Sequence, residues 1–179
     1  MKILAARKYA TPRNGPLTLE QPETRRLAYS IKSTASPSID FDTAAREMAA
    51  LITGPCWLVP IPDSNGNTDA NTRLAHHIAN HVNANAAGIS AQIVKAIYRT
   101  RPVQSQCARH KLALGPIAPE QHHLARNRKV LTLRQTYFVD NVTTSGHTLE
   151  AARLALGFGA GLVFADAATR RTQMQATLL

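Results

Sequence analysis

Aromatic residues are scarce in this chain, cysteines number two, and acids are outnumbered by bases; each shortage excludes something. With 5% aromatics, stacking platforms for bases are few, so a bound nucleic acid would be held mainly through its phosphates, with little sequence preference. Cys56 and Cys107 form no CxxC pair, so they make neither a disulfide framework nor a zinc ribbon and read as reduced thiols. No apolar run reaches the roughly 18 residues that a membrane-spanning helix needs, which predicts no membrane partner. Arg7 and Lys8 break up the start, MKILAARKYATP, so it does not read as a signal peptide and a cytoplasmic setting is expected. The seven histidines include the neighbours His76-His77 and His122-His123, but adjacent residues on a helix face different ways and neither pair chelates well alone.

What remains is a 179-residue chain, 44% hydrophobic and 18% charged, long enough for one globular domain over residues 1–179. Its formal net charge is +10, with a pI near 10.3, which suits polyanionic partners from pyrophosphate and nucleotides to DNA or RNA. The charge is uneven. Between Lys95 and Arg134 nine cations face one acid, Glu120, so this stretch carries eight of the ten net charges. Arg109, Lys111, Arg126, Arg128 and Lys129 in it are candidates for a phosphate or nucleic-acid patch.

The pattern predicts short strands over 2–10 and 26–32, paired as a small N-terminal hairpin, with loops over 11–24 and 33–40. Asp40 or Asp42 is placed to cap a helix running to Thr53, before Gly54-Pro55. CWLVPIP reads as a buried strand, DSNGNTD as a polar loop, and 70–86 as an amphipathic helix carrying Leu74, Ala75, Ile78, Ala79 and Val82. A strand follows over 93–98, then a Pro- and Gly-broken basic loop over 99–128. Residues 130–133 and 137–140 read as extended, 148–156 as a helix and 162–165 as a strand. This alternation predicts an α/β domain with a mostly parallel twisted sheet flanked by helices, its ligands at the carboxyl ends of the strands.

The most informative stretch is YFVDNVTTSGHTLEAA, an apolar strand ending in an acid, then small hydroxyl residues and one glycine, then a helix. Unsatisfied N–H groups and the helix dipole favour an anion at such a helix start, and a glycine lets the backbone approach a phosphate. Thr144, Ser145, Gly146, His147 and Thr148 wrap the turn, with hydroxyl donors from Thr144, Ser145 and Thr148 and with Thr143 just before it as a further binding candidate; the His147 backbone amide matters there more than its ring. Asp140 and Asn141 end the strand, where they can receive sugar hydroxyls. The competing reading is a plain helix cap.

This segment resembles the phosphoribosyl pyrophosphate (PRPP) motif of type I phosphoribosyltransferases, most closely in the ComF-like branch. LVPIPDSNGN is similar to that branch's Val-Pro-x-Pro segment, and Arg99, Arg101, Gln106 and Arg126-Asn127 are similar to its flexible-loop positions; the likeness runs from about Trp57 to Ala165. The resemblance implies a type I PRTase-like fold with residues 1–40 as a hood. It implies that Asp140 holds the ribose hydroxyls, that 144–148 hold the 5′-phosphate, and that Pro60, Ile61, Pro62, Asp63, Ser64 and Asn65 form a pyrophosphate loop. Arg99, Arg101 and Asp140 become the catalytic candidates, and Asp140 and Asp63 the candidate Mg²⁺ ligands. Many members are dimers, so a homodimer or a protein complex is an expectation from the family.

Three departures bear on activity. Asn141 stands where the second acid belongs, Thr144 where purine-salvage members carry an acid, and the zinc ribbon of many ComF-like proteins is missing. Three functions follow: transfer of phosphoribose to a nitrogenous acceptor with release of pyrophosphate, binding of PRPP or a related nucleotide without turnover, and association with DNA or RNA through the basic stretch.

Overall fold

The computed structural model describes residues 1–8, 20–85, 88–105, 108–109, 112–127 and 134–167. Five strands form one all-parallel sheet: β1 (Ile3–Lys8), β2 (Cys56–Pro60), β3 (Ala91–Ile93), β6 (Gln135–Thr143) and β7 (Ala160–Asp166). Their spatial order is β1-β7-β6-β2-β3. Short β4 (Ile97–Arg99) and β5 (Leu124–Arg126) pair antiparallel beside it.

The strands are apolar on both sides because both sides are covered. Leu58, Tyr137, Val139, Leu162 and Phe164 face α1 (Glu20–Ser30), α2 (Ser38–Ala49) and α3 (Asp69–Asn85). Val59, Phe138 and Val163 face the other way, against Leu149, Ala152 and Leu156 of α4 (His147–Leu156) and against Ala96 and Ile97. Each helix presents the spacing this demands, such as Phe41, Ala44, Ala45 and Met48 on α2 and Leu74, Ala75, Ile78 and Val82 on α3.

The chain leaves β2 through α3 towards β3, on one face, and leaves β6 through α4 towards β7, on the other. β2 and β6 are neighbours, with Val59 opposite Phe138 and Pro60 opposite Val139. The winding therefore reverses between them, and a crevice opens off their carboxyl ends.

Four sequence expectations are corrected. Residues 26–32 are not a strand: Thr24, Leu27, Ala28 and Ile31 are buried at helical spacing, and α1 runs through this stretch. β1 consequently pairs with β7 and not with that segment. Asp40 does not cap α2, which starts at Ser38 behind Pro37; its carboxylate instead accepts Arg26 Nη2 at 2.9 Å and Ser30 Oγ at 2.5 Å, joining α1 to α2. The Arg26 guanidinium holds this buried carboxyl below the usual range. The strand expected over 93–98 is two strands: Val94 N–H still reaches Leu58 O at 2.9 Å, then a tight Ala96 N–H to Val94 O turn leads the chain out of the sheet. The basic loop contains a 3₁₀ turn (Pro119–His122) and β5, both too short to leave a periodic signal. The extended stretch expected over 130–133 lies outside the described residues. No helix among the described residues is long and apolar enough to cross a membrane.

Candidate functional site

A cavity of about 1120 Å³ occupies the crevice. From the sequence-predicted set it gathers Asp140, Asn141, Thr143, Thr144, Ser145, Gly146, His147 and Thr148 on one wall, with Pro62, Asp63, Ser64 and Arg99 on another. Pro60 and Ile61 are buried beneath it, and Asn65, Arg101, Arg109 and Arg126 lie outside its lining. Lys111, Arg128, Lys129 and Gln106 fall outside the described residues.

Asp140 forms the polar end of β6. Its Oδ1 accepts the Asn141 amide at 2.8 Å and Asn71 Nδ2 at 3.3 Å, while Asn71 Nδ2 also reaches Ile61 O at 2.8 Å. Burial pushes the Asp140 carboxyl up to about 6, against the pull of those two donors and of the Lys32 and Arg99 charges. Asn141 turns its own Oδ1 onto the Val142 amide at 2.7 Å, so its carbonyl is occupied.

Past β6, Thr144 and Ser145 are exposed and Gly146 adopts a left-handed φ of 74° directly before α4. A Cβ at Gly146 would stand 3.2 Å from Ile3 Cδ1 as well as strain the backbone. No side chain caps this helix; the nearest substitute is a long 3.4 Å contact from His147 N–H to Ser145 Oγ. The first-turn amides are thus open to an anion, in a helix ten residues long. The His147 ring has a task of its own: Nδ1 meets Ile117 O at 2.8 Å and ties the turn to the 3₁₀ segment.

The loop after β2 is arranged the opposite way. Asp63 Oδ1 accepts the amides of Asn65 at 2.8 Å and Asn67 at 2.9 Å; Asp63 N–H donates to Asn67 O and Gly66 N–H to Asp63 O. Four amides of this loop, those of Asp63, Asn65, Gly66 and Asn67, are therefore spent inside it. Arg99 reinforces it, donating to Asp63 O at 2.7 Å, to Pro62 O at 3.3 Å and to His122 O. Three of its five N–H donors go to carbonyls, which makes Arg99 first a clamp. Its sequence neighbour Arg101 is exposed.

Sequence reasoning missed three contributions to the cavity. Arg25, Tyr29 and Lys32 on and just beyond α1 line it, with Lys32 Nζ 5.2 Å from the Tyr29 ring centre. Their i, i+4, i+7 spacing was the available signal, hidden because Leu27, Tyr29 and Ile31 also alternate like a strand. Asn71 and His122 are the others. Burial, with the Arg99 charge behind it, pushes the His122 imidazole down to about 4, so the ring is neutral near pH 7. His123 beside it holds a left-handed φ of 52°.

Among the described residues no group of three His, Cys, Asp or Glu side chains could hold a metal. Asp140 and Asp63 each keep one carboxylate oxygen without a hydrogen bond from the described residues. That donor set suits a hard cation arriving with a phosphorylated ligand, since Mg²⁺ is typically held by one or two carboxylates together with substrate phosphates.

The arrangement can do two things together: hold an anion on the α4 amides and receive hydroxyl groups at Asp140. No protein-family model, no curated protein and no solved structure matches the chain.

Proposed function

We propose that this chain is a type I phosphoribosyltransferase-like protein, of ComF-like type, that binds PRPP or a related ribose 5-phosphate compound in this cavity. The observation that carries the reading is the pairing of Asp140 with the uncapped start of α4 at the reversal of the sheet. A carboxylate for hydroxyls and a row of free amides for a phosphate stand one short turn apart, as a 5-phosphorylated sugar requires.

In transfer, the bond between ribose C1 and pyrophosphate breaks, the pyrophosphate leaves with the electron pair, and a nitrogen of the acceptor bonds to C1 and gives up its proton. The sugar passes through a cationic state, so the site acts by electrostatic stabilisation. Asp140 lies where it can steady the ribose; Arg99, Lys32 and Arg25 supply positive charge along the cavity. Mg²⁺, held by the ligand's phosphates with Asp140 or Asp63, would neutralise the leaving group. Arg101, exposed just past β4, is a further cation available to the leaving group.

Two observations favour binding without fast turnover as the second reading: the carbonyl of Asn141 is occupied and the Arg99 guanidinium is engaged on backbone carbonyls. Association with DNA or RNA is a separate proposal for the basic stretch, resting on Arg101 and Arg126, which are exposed outside the cavity lining. The test is calorimetric titration of PRPP with Mg²⁺ into the wild type and Asp140→Ala, followed by assay of pyrophosphate release. Binding that is lost in Asp140→Ala supports the reading, release decides between turnover and sensing, and no wild-type binding overturns it.

A further inference from the structure

Three buried side-chain polar atoms have no hydrogen-bond partner among the described residues: Asn71 Oδ1, Thr72 Oγ1 and His122 Nδ1. Such orphans are rare, because each forfeits about 1–3 kcal/mol. Two of the three belong to residues that line the cavity, Asn71 and His122.

Asn71 takes this furthest because its orientation is fixed. It sits in the first turns of α3 and is 9% exposed. Its Nδ2 donates to Ile61 O at 2.8 Å and to Asp140 Oδ1 at 3.3 Å. A backbone carbonyl can only accept, so the amide nitrogen must face Ile61 and the oxygen must face away. The carbonyl left over is next to the one acid of the cradle, already joined to it through the other end of the same amide.

A sugar diol presents two O–H donors, which two separate acceptors orient better than one. Asp140 offers one through its remaining oxygen, and Asn141, the obvious second, has its carbonyl on the Val142 amide. We infer that Asn71 is the second arm of the sugar site: Nδ2 holds the Asp140 carboxylate in place while Oδ1 accepts a hydroxyl of the bound sugar phosphate. It forms no covalent bond and moves no proton; it positions Asp140 and selects for a hydroxylated ligand. This rests on the sugar-phosphate reading above.

The experiment is calorimetry of ribose 5-phosphate and of inorganic phosphate with the wild type, Asn71→Leu, Asn71→Ser and Asp140→Asn. Asn71→Leu and Asn71→Ser are expected to weaken ribose 5-phosphate by about tenfold or more and to leave inorganic phosphate within about twofold. A merely structural role would weaken both ligands together, and that result overturns the inference. So does Asn71→Leu or Asn71→Ser binding ribose 5-phosphate as the wild type does while Asp140→Asn has lost it, an outcome that leaves the sugar-phosphate reading standing. A wild type that binds no ribose 5-phosphate overturns that reading instead. Should the leucine variant fail to fold, the smaller serine variant carries the same test.

Discussion

Two polar loops border the cavity, and they spend their amides differently. The loop after β2 closes on itself: Asp63 takes two of its N–H groups, its own carbonyls take two more hydrogen bonds, and Arg99 pins it from outside. The turn after β6 has the same kind of residues, yet its helix start has no side-chain cap and its one substitute contact is long. A run of Ser, Asn, Thr and Gly therefore does not by itself mark an anion site. What decides is whether an acid inside the loop consumes the donors, as Asp63 does, or stands just before it and leaves them free, as Asp140 does.

Replacing Asp140 gives the largest effect. Asp140→Asn is expected to weaken ribose 5-phosphate by about a hundredfold, since charge-assisted hydrogen bonds contribute about 1.5–3 kcal/mol. The same change should stabilise the fold near neutral pH. Burial raises the Asp140 pKa from 3.8 to about 6, so the folded state holds its proton more tightly than the unfolded one. The wild type then loses stability as pH rises from about 4 to about 6, and the loss persists above. Asp140→Asn should unfold with the wild type near pH 3.5 and be more stable by about 1–3 kcal/mol at pH 7.5. Thermal unfolding at the two pH values checks this; a gap that does not change with pH contradicts it.

Next comes Gly146→Val, which forces a branched residue into a left-handed φ of 74° against Ile3. It should cost about 1–2 kcal/mol of stability and weaken inorganic phosphate by about tenfold, measured by chemical denaturation and calorimetry. Asp63→Ala sharpens the contrast from the other side. It frees two loop amides and should cost about 1–2 kcal/mol of stability while leaving phosphate affinity within about twofold; a loss as large as that of Gly146→Val would mean that both loops hold the anion. The smallest effect belongs to Arg126→Gln, exposed on β5. It should not alter phosphate binding, and if an oligonucleotide binds, its salt-dependence slope should fall by about 1.

Strands β2, β6 and β7, helices α2, α3 and α4, and the glycine turn before α4 were legible because each rests on a local pattern: buried runs for the strands, helical spacing from Leu74 to Val82, and a glycine before a helix at Gly146. The rest depended on contacts distant in sequence. Nothing local tells that Arg99 folds back onto the 61–68 loop, or that Asn71, 69 residues before Asp140, meets it across the crevice. α1 was misread because Tyr29, 60% exposed at the cavity, interrupts the apolar face with a residue that lines the cavity and not the core. The 3₁₀ turn and β5 are too short to leave a periodicity, and β5 is held by its pairing with β4 and by Asn127 N–H to Ala96 O.

The most direct measurement is an amide-resolved NMR titration of the wild type with ribose 5-phosphate. The account predicts that the amides of residues 144–148 shift on binding while those of Asp63, Asn65, Gly66 and Asn67 stay in place. Shifts confined to the 63–67 amides, or none in either loop, would contradict it.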